Sequence, residues 1–442
     1  MLESYLLAVV SLSVFMTHGL FLFYKKIPFA SRMLIFCYIL GALFYIVIPS
    51  YLPMFLGEQI IHARFVGDVS FGSMYLDKIY IVILVYSIFS ILGILFGLSI
   101  SVNKNYKDRL YDNDSVMFPF SAFMFFVLLR YFLIYVEYDT GIVAAGERSG
   151  GVSSQIYLVI NTLMLVTMAY LISILRSKKS QVLIVLVSLS VYLAHSILIS
   201  GSRRMAVFYF MFIVGPTLIG LKIIKLSSYI IYSIFTIIFV VVYGAIRANL
   251  FKFTSFDELY YEAGLILEKL RDNIDLVLIN ADITIVYDAF VGVIKNVPEK
   301  VDYLYGETLF KFFYFIIPRS VWPDKPESIS VLVSKNIHGA YYITGTTYNP
   351  TLLGELFYNG GYVATVLGGL LIGLLVGFFV KKSGLWVNDG DRVMIVFIGI
   401  IGMTFFNVWR GYTFEVIIYL LLSFVIYVIS YKFLSLKNYK FS

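Results

Sequence analysis

Cysteine, histidine and charged residues are scarce in this sequence of 442 residues, and each shortage excludes a class of function. The single cysteine, Cys37, lies in an apolar stretch, which excludes an intramolecular disulfide and a cysteine-based metal site. The four histidines are scattered without the spacing of metal ligands. Charged residues make up only 14%, and no basic run is long enough for a nucleic-acid tract. We therefore expect no metal site, no cofactor and no nucleic-acid partner.

Long hydrophobic runs dominate what remains. Hydrophobic residues make up 60% of the chain and its mean hydropathy is +0.88, values far from those of a soluble domain. A membrane-spanning helix needs about 20 apolar residues, so the chain has room for about eleven spans. We expect an all-α polytopic membrane protein forming one domain over residues 1–442. The predicted spans are 4–24, 33–56, 79–100, 116–136, 155–175, 181–199, 205–221, 227–246, 361–380, 393–409 and 412–431.

The connections between these runs alternate in charge. Cytoplasmic loops of membrane proteins carry an excess of Lys and Arg, so the basic connections are predicted to face the cytoplasm. The N-terminus is then outside and the C-terminus inside, and the net charge of +7 needs no nucleic acid to explain it. The cations that define the inner side are Lys25, Lys26, Arg32, Arg176, Lys178, Lys179, Lys222, Lys225, Lys381, Lys382, Lys432, Lys437 and Lys440.

One long break in hydropathy, residues 247–360, separates the eighth and ninth predicted spans on the outer side. Ser255–Glu258 has the pattern of a capping box, and helical periodicity behind it predicts an amphipathic helix. A second helix is predicted from Ile283 to Val297. A third apolar piece, Leu309–Ile317, is compatible with insertion into the membrane interface. We therefore expect a large helical outer loop.

Five arginines are predicted at the outer face, where the topology rule does not explain them. A guanidinium near the hydrocarbon costs a few kcal/mol and normally has a partner. For any single arginine, snorkelling to the interface is an equal alternative. For the set, a shared anionic ligand is the better explanation, because guanidiniums bind phosphates through charge-assisted bonds. These residues are Arg203, Arg204, Arg247, Arg319 and Arg410.

Two motifs in the loop add further candidate ligand-binding residues. The run 317–327 contains three prolines, which exclude a regular helix and stiffen the segment that carries Arg319, Trp322 and Lys325. A solvated proline-rich turn is the alternative. The run 341–355 is rich in Tyr, Thr and Asn, side chains that stack on sugars and bond their hydroxyls, although tyrosines also form interfacial belts.

Taken together, these motifs resemble the bacterial O-antigen polymerase family. The specific part of the resemblance covers roughly residues 200–412 and depends on the order and spacing of loose motifs. Because Arg203 is followed by Arg204, the pair leaves open which fills the family's single arginine position. The motifs are Gly201-Ser202-Arg203-Arg204, Pro318-Arg319, Trp322-Pro323, Lys325-Pro326, Asn349-Pro350-Thr351, Gly354-Glu355, Asn359-Gly360-Gly361 and Trp409-Arg410-Gly411.

The resemblance implies a GT-C-like helical fold in the bacterial inner membrane with its active site facing the periplasm. It implies joining of undecaprenyl-pyrophosphate-linked oligosaccharide repeats by inverting, metal-independent glycosyl transfer. A chain-length regulator is an implied partner besides membrane lipid. The implied pyrophosphate ligands are Arg203, Arg204, Arg247, Arg319, Lys325 and Arg410.

Further roles follow from the same resemblance. Arg319 and Arg410 would stabilise the leaving group, and Glu355 is the favoured base, with Asp324 and Glu327 as other candidates. The implied sugar contacts are Trp322, Tyr348 and Asn349.

Two other functions remain open. An O-antigen ligase uses the same lipid-linked donor, and His338 is its candidate loop histidine. A lipid-linked oligosaccharide flippase or transporter would need cations in a central cavity and commonly two similar halves, neither of which the sequence shows.

Overall fold

The computed structural model describes residues 29–50, 73–101, 117–139, 282–314, 321–337, 347–388 and 392–411, together with single positions at 317, within 160–191 and within 413–425. All regular structure in these ranges is helical. The helices are α1 (Phe29–Ala42), α2 (Ser73–Ser99), α3 (Met117–Asp139), α4 (Asp282–Asn296), α5 (Lys311–Tyr314), α6 (Ile329–Asn336), α7 (Thr351–Asn388) and α8 (Arg392–Asn407). A π-helical turn, Leu43–Val47, extends α1, and a 3-10 turn, Val408–Arg410, extends α8.

Three helices of the described part are long and apolar enough to cross a membrane, over residues 33–50, 77–99 and 351–383. Predicted spans 33–56, 79–100, 116–136, 361–380 and 393–409 overlap with the helices α1, α2, α3, α7 and α8, of which α1, α2 and α7 carry the three span candidates. Runs 155–175, 181–199 and 412–431 are described only at single, helical positions. Runs 4–24, 205–221 and 227–246 lie outside the described residues, so the total of eleven stays a prediction.

The loop helices agree in part with the sequence. The helix predicted from Ile283 to Val297 is confirmed as α4, whereas the described residues of Leu309–Ile317 are α-helical only within α5. The proline-rich stretch is irregular over 321–328, as its prolines predict. The amphipathic helix predicted behind Ser255–Glu258 lies outside the described residues.

Hydrogen bonds define two opposite ends of the helix bundle. At one end, the Ser31 hydroxyl donates to Val380 O and Lys381 Nζ donates to Ile100 O. At the other end, Lys78 Nζ donates to Val297 O beside α4. We call these the basic end and the loop end. Their separation agrees with the alternating charge pattern, and the side of the membrane that each faces stays a prediction.

Glycines bring α2 and α7 into backbone contact along the bundle. A Cβ added at Gly373 would lie 2.2 Å from Ser90 O, and one at Gly377 would lie 2.2 Å from Ile94 O. Helices in lipid associate through such close packing, because lipid supplies little hydrophobic drive between them. This contact fixes the position of α7, the helix that carries Glu355.

α7 begins at Thr351, ten residues before the span predicted to begin at 361, and it is interrupted where that span was expected to start. Gly360 and Gly361 have non-helical backbone angles, with φ of +59° at Gly361. The segment 351–359 therefore forms a separate short helix at the loop end, and the longer part of α7 continues through the bundle.

Candidate functional site

The start of α7 touches the connection that follows α8. Thr351 has a φ of +58° and Gly411 a φ of +84°, and a Cβ added at Gly411 would lie 2.7 Å from Thr351 O. Only glycine fits this approach in a left-handed conformation. The Thr351 hydroxyl accepts a hydrogen bond from Gly354 N at 3.2 Å and so caps the helix. Two segments some sixty residues apart in sequence, 351–355 and 410–413, are thereby joined.

Glu355 lies at the centre of this junction and is fully buried. Its Oε2 accepts hydrogen bonds from Thr413 N at 2.8 Å and from the Thr413 hydroxyl at 2.7 Å. A buried carboxylate is costly unless it is hydrogen-bonded, and its position near the helix N-terminus is also favourable. The two bonds fix the direction of the carboxylate and tie the connection after α8 to α7.

Arg410, half-buried, directly precedes this junction and is held by an aromatic anchor. The neighbouring Trp409 is buried, with its ring centroid 5.1 Å from that of Tyr38 and 5.2 Å from that of Tyr86. The Tyr38 hydroxyl is hydrogen-bonded at 2.9 Å to both the Tyr86 hydroxyl and Ser90 Oγ. Because the rings pack around Trp409, the turn 408–410 has a fixed place, and Arg410 with it.

The loop is fixed to the end of the short helix 351–359. Asn359 Nδ2 donates to Thr308 Oγ1 and to Glu355 O, both at 2.7 Å. Leu304 N donates to Tyr358 O at 2.9 Å, which satisfies a carbonyl where the α7 helix is interrupted. The loop segment 304–308 therefore belongs to the same rigid unit as Glu355.

The other loop candidates have a more peripheral placement. Lys325 is buried and its Nζ donates to Ile317 O at 2.8 Å, which closes the proline-rich turn. Trp322 is partly exposed and its ring lies 5.4 Å from that of Tyr314. Tyr348 and Asn349 are half-buried directly before α7.

The alternative bases differ from Glu355 in their surroundings. Glu327 is ion-paired with Lys335 Nζ at 2.7 Å, and Asp324 is exposed. Nearby, burial raises the pKa of Glu307 above its ordinary value of 4.5, and the charge of Glu327 raises this pKa further, while Lys311 lowers it. Among the three candidates, Glu355 alone is held by hydrogen bonds to the Arg410 connection.

Arg203, Arg204, Arg247 and Arg319 lie outside the described residues, so their convergence on a common ligand stays a prediction. Within the described ranges there is no group of three or more His, Cys, Asp or Glu that could hold a metal ion.

Sequence reasoning missed two polar residues at this end, the half-buried Thr413 and the buried Asp288. Thr413, the donor to Glu355, follows Arg410 by three residues, and that proximity is the signal that identifies it. Asp288 is buried in α4, where an acid interrupts an otherwise apolar helix face.

These helices and the junction define a helical protein with several segments able to cross a membrane. Two curated O-antigen polymerases, from Salmonella typhimurium and Salmonella typhi, are each 28% identical to this chain over 151 residues, which is 31% of this chain and 36% of the relative. The chain thus spans about a third of the length of these relatives. No family model and no solved structure matches it. The apolar helices and this similarity agree on a multi-pass membrane protein.

Proposed function

We propose that this protein polymerises lipid-linked oligosaccharide repeats into an O-antigen or related surface polysaccharide. The donor glycan is carried on undecaprenyl pyrophosphate, and the reaction takes place at the periplasmic face of the inner membrane. The distant likeness to O-antigen polymerases supports this assignment. The observation that carries it is the junction in which Thr413, three residues after Arg410, donates two hydrogen bonds to Glu355.

The proposed reaction is a single in-line displacement at the anomeric carbon. The acceptor hydroxyl oxygen forms a bond to that carbon while the bond to the lipid pyrophosphate breaks. Negative charge develops on the leaving pyrophosphate, and Arg410, together with Arg203, Arg204, Arg247 and Arg319, stabilises it. Glu355 receives the proton of the acceptor hydroxyl. No metal is required in this scheme, and the anomeric configuration inverts.

Further contacts are proposed for four loop residues. Lys325 braces the turn next to Arg319 and adds positive charge there. Trp322, Tyr348 and Asn349 supply ring and amide contacts to the sugars. A chain-length regulator would be a separate partner.

The burial of Glu355 makes its role directly testable. A glutamine at this position keeps a carbonyl oxygen that accepts both Thr413 bonds, but it cannot take a proton. If Glu355 is the base, Glu355→Gln loses turnover and retains donor binding. If Glu355 only positions the Arg410 connection, Glu355→Gln retains most of the activity. The measurement is turnover of lipid-linked repeats by the purified variant across pH, with donor binding measured separately.

The function itself is tested by a gel of surface polysaccharide from cells in which the gene is deleted and then restored. We expect loss of the long-chain ladder, leaving core plus a single repeat, and its return on restoration. Arg410→Ala should fail to restore the ladder, whereas Lys300→Ala, which removes an exposed loop cation, should restore it. Loss of every repeat would instead indicate a ligase or a flippase.

A further inference from the structure

The loop between residues 305 and 322 exposes an unusual number of large apolar side chains. Soluble surfaces rarely carry a contiguous apolar patch of this kind without a partner. The five side chains are between 38% and 81% exposed, and we call them the aromatic patch: Tyr305, Phe310, Phe313, Ile317 and Val321.

Internal contacts hold the patch in one arrangement. The Tyr314 hydroxyl donates to Glu307 O at 2.5 Å, and the Tyr314 ring packs against Trp322. Lys325 donates to Ile317 O, which joins the two sides of the turn. The apolar side chains are therefore presented by a braced segment.

The position of the patch along the membrane normal can be estimated from the length of α7 between the loop and the basic end. A Cβ added at Gly361 would lie 2.8 Å from the Tyr303 hydroxyl, and the Tyr303 ring lies 6.3 Å from that of Tyr305. From Gly361 to Lys381, at the basic end, about 20 helical residues cover about 30 Å, the thickness of the hydrocarbon core. The loop therefore meets α7 where the hydrocarbon ends.

The loop that carries the patch also adjoins the face of α7 that points away from the bundle. The Phe357 ring lies 6.4 Å from Tyr303 and 5.5 Å from Tyr362, and these rings link the loop to the exposed side of α7. That side repeats at a spacing of four residues, as one helix face does, and its most exposed members are Val363, Leu367 and Leu371.

We propose that the aromatic patch inserts into the headgroup–acyl boundary of the bilayer leaflet at the loop end. Aromatic side chains favour that boundary, because their rings are apolar and their polar tips bond headgroups. Lipid, and not a partner protein, is the occupant, since the patch lies at the level of the hydrocarbon edge and its loop adjoins the lipid-facing side of α7. Insertion would hold the segment carrying Lys325 at the headgroup level. This inference does not depend on the proposed function.

Depth measurement by spin labelling tests the proposal. Cys37, the single native cysteine, is replaced by alanine, and single cysteines are introduced at Phe313 or Val321. Leu367→Cys serves as the lipid reference and Lys300→Cys as the water reference, both at exposed positions. Each labelled protein is reconstituted alone in liposomes of phosphatidylethanolamine and phosphatidylglycerol, and label collisions with oxygen and with a water-soluble nickel chelate are compared.

Oxygen concentrates in lipid and the chelate in water, so their collision ratio reports depth. We expect the ratios for the labels at 313 and 321 to lie closer to that at 367 than to that at 300. Ratios at both positions closer to that at 300 would overturn the proposal. A patch reserved for a protein partner would give that second result, because no partner is present in these liposomes.

Discussion

The hydrogen bond from the Thr413 hydroxyl to Glu355 should be worth a measurable part of the protein's stability. Thr413→Val removes the hydroxyl, which donates to Oε2 at 2.7 Å, and replaces it with a methyl group of nearly equal size. The backbone bond from Thr413 N at 2.8 Å remains. The variant therefore leaves the packing volume almost unchanged and deletes one of the two Thr413 donors to a buried carboxylate.

The expected cost follows from the charge and burial of the acceptor. Hydrogen bonds to charged groups contribute about 1.5–3 kcal/mol, and a buried acceptor that loses a donor is not compensated by water. A loss of about 1.4 kcal/mol lowers the folding equilibrium constant about tenfold, so Thr413→Val should lower it by about 10- to 100-fold. Thr413→Ser keeps the hydroxyl and should recover most of this loss.

Thr404→Val is the matched control. Thr404 is buried whereas Thr413 is half-buried, and the Thr404 hydroxyl donates to Ile400 O within the same helix, at 2.7 Å. That acceptor is a neutral carbonyl in the α8 ladder, so the control should cost less than about 1 kcal/mol. The assay is SDS-induced unfolding in mixed micelles, followed by circular dichroism. Equal losses in the valine variants at 413 and 404 would refute the view that Glu355 is held by a strong, charge-assisted bond.

Three further outcomes follow from the described contacts. Gly373→Ala places a Cβ 2.2 Å from Ser90 O, so α2 and α7 must separate; we expect a loss of about 1–3 kcal/mol in the same unfolding assay. Gly361→Ala places alanine in a left-handed conformation, which costs about 1–2 kcal/mol, and its Cβ also clashes with the Tyr303 hydroxyl. In the unfolding assay, the double variant Gly361→Ala/Tyr303→Phe should recover the part of the loss that is due to the clash and keep the part that is due to the backbone. Burial raises the pKa of Glu307, so folding disfavours the charged form of its side chain. The neutral carboxyl group therefore contributes stability that is complete below the ordinary pKa of 4.5 and is lost as pH rises through the pKa of the folded state. Glu307→Gln should remove that decline at pH values above the ordinary pKa of 4.5, and an unchanged pH slope would contradict the assignment.

The spans could be predicted from the sequence where a helix is apolar all round, because contact with lipid and contact with neighbouring helices both favour apolar side chains. α2 is apolar over most of its length beyond Lys78, and α8 is apolar over most of its length beyond Arg392; hydropathy places both within about six residues of their observed bounds. The segment 351–359 escaped the span prediction because it mixes Thr, Glu and Asn with apolar residues. All nine of its residues are buried, since it packs beneath α4. The mean hydropathy of a sequence window cannot show that a segment is buried by a neighbouring loop helix.

Helix pairing was the second part that the sequence left open. Gly369, Gly373 and Gly377 recur every four residues, a spacing typical of close helix contacts in membranes. The same spacing separates Gly93 and Gly97 in α2. The pattern indicates that a close contact exists, but it names no partner, because any small-residue face could accept it. The pairing of α2 with α7 depends on the whole bundle.

The site was predicted in its parts and not in its geometry. The motifs around Glu355 and Arg410 were each identified, and the structure joins their segments through Thr351 and Gly411. The hydroxyl of Thr413 was not identified, because one threonine in a short connection has no pattern of its own. The four remaining arginines of the predicted set lie outside the described residues, so mutation is the test of their role.

The interruption of α7 explains how one helix takes part in both the bundle and the junction. Beyond Gly361, α7 is held by α2 at backbone distance, so it has little freedom to rotate. If α7 were continuous, its contact with α2 would also fix the direction in which Glu355 points. The interruption separates the two requirements: 351–359 is oriented by α4 and the loop, and Leu304 N satisfies the carbonyl freed at Tyr358. The loop, through this short helix, therefore sets where Glu355 meets the connection after α8, and loop substitutions that disturb 304–308 should alter the junction without disturbing the helix bundle.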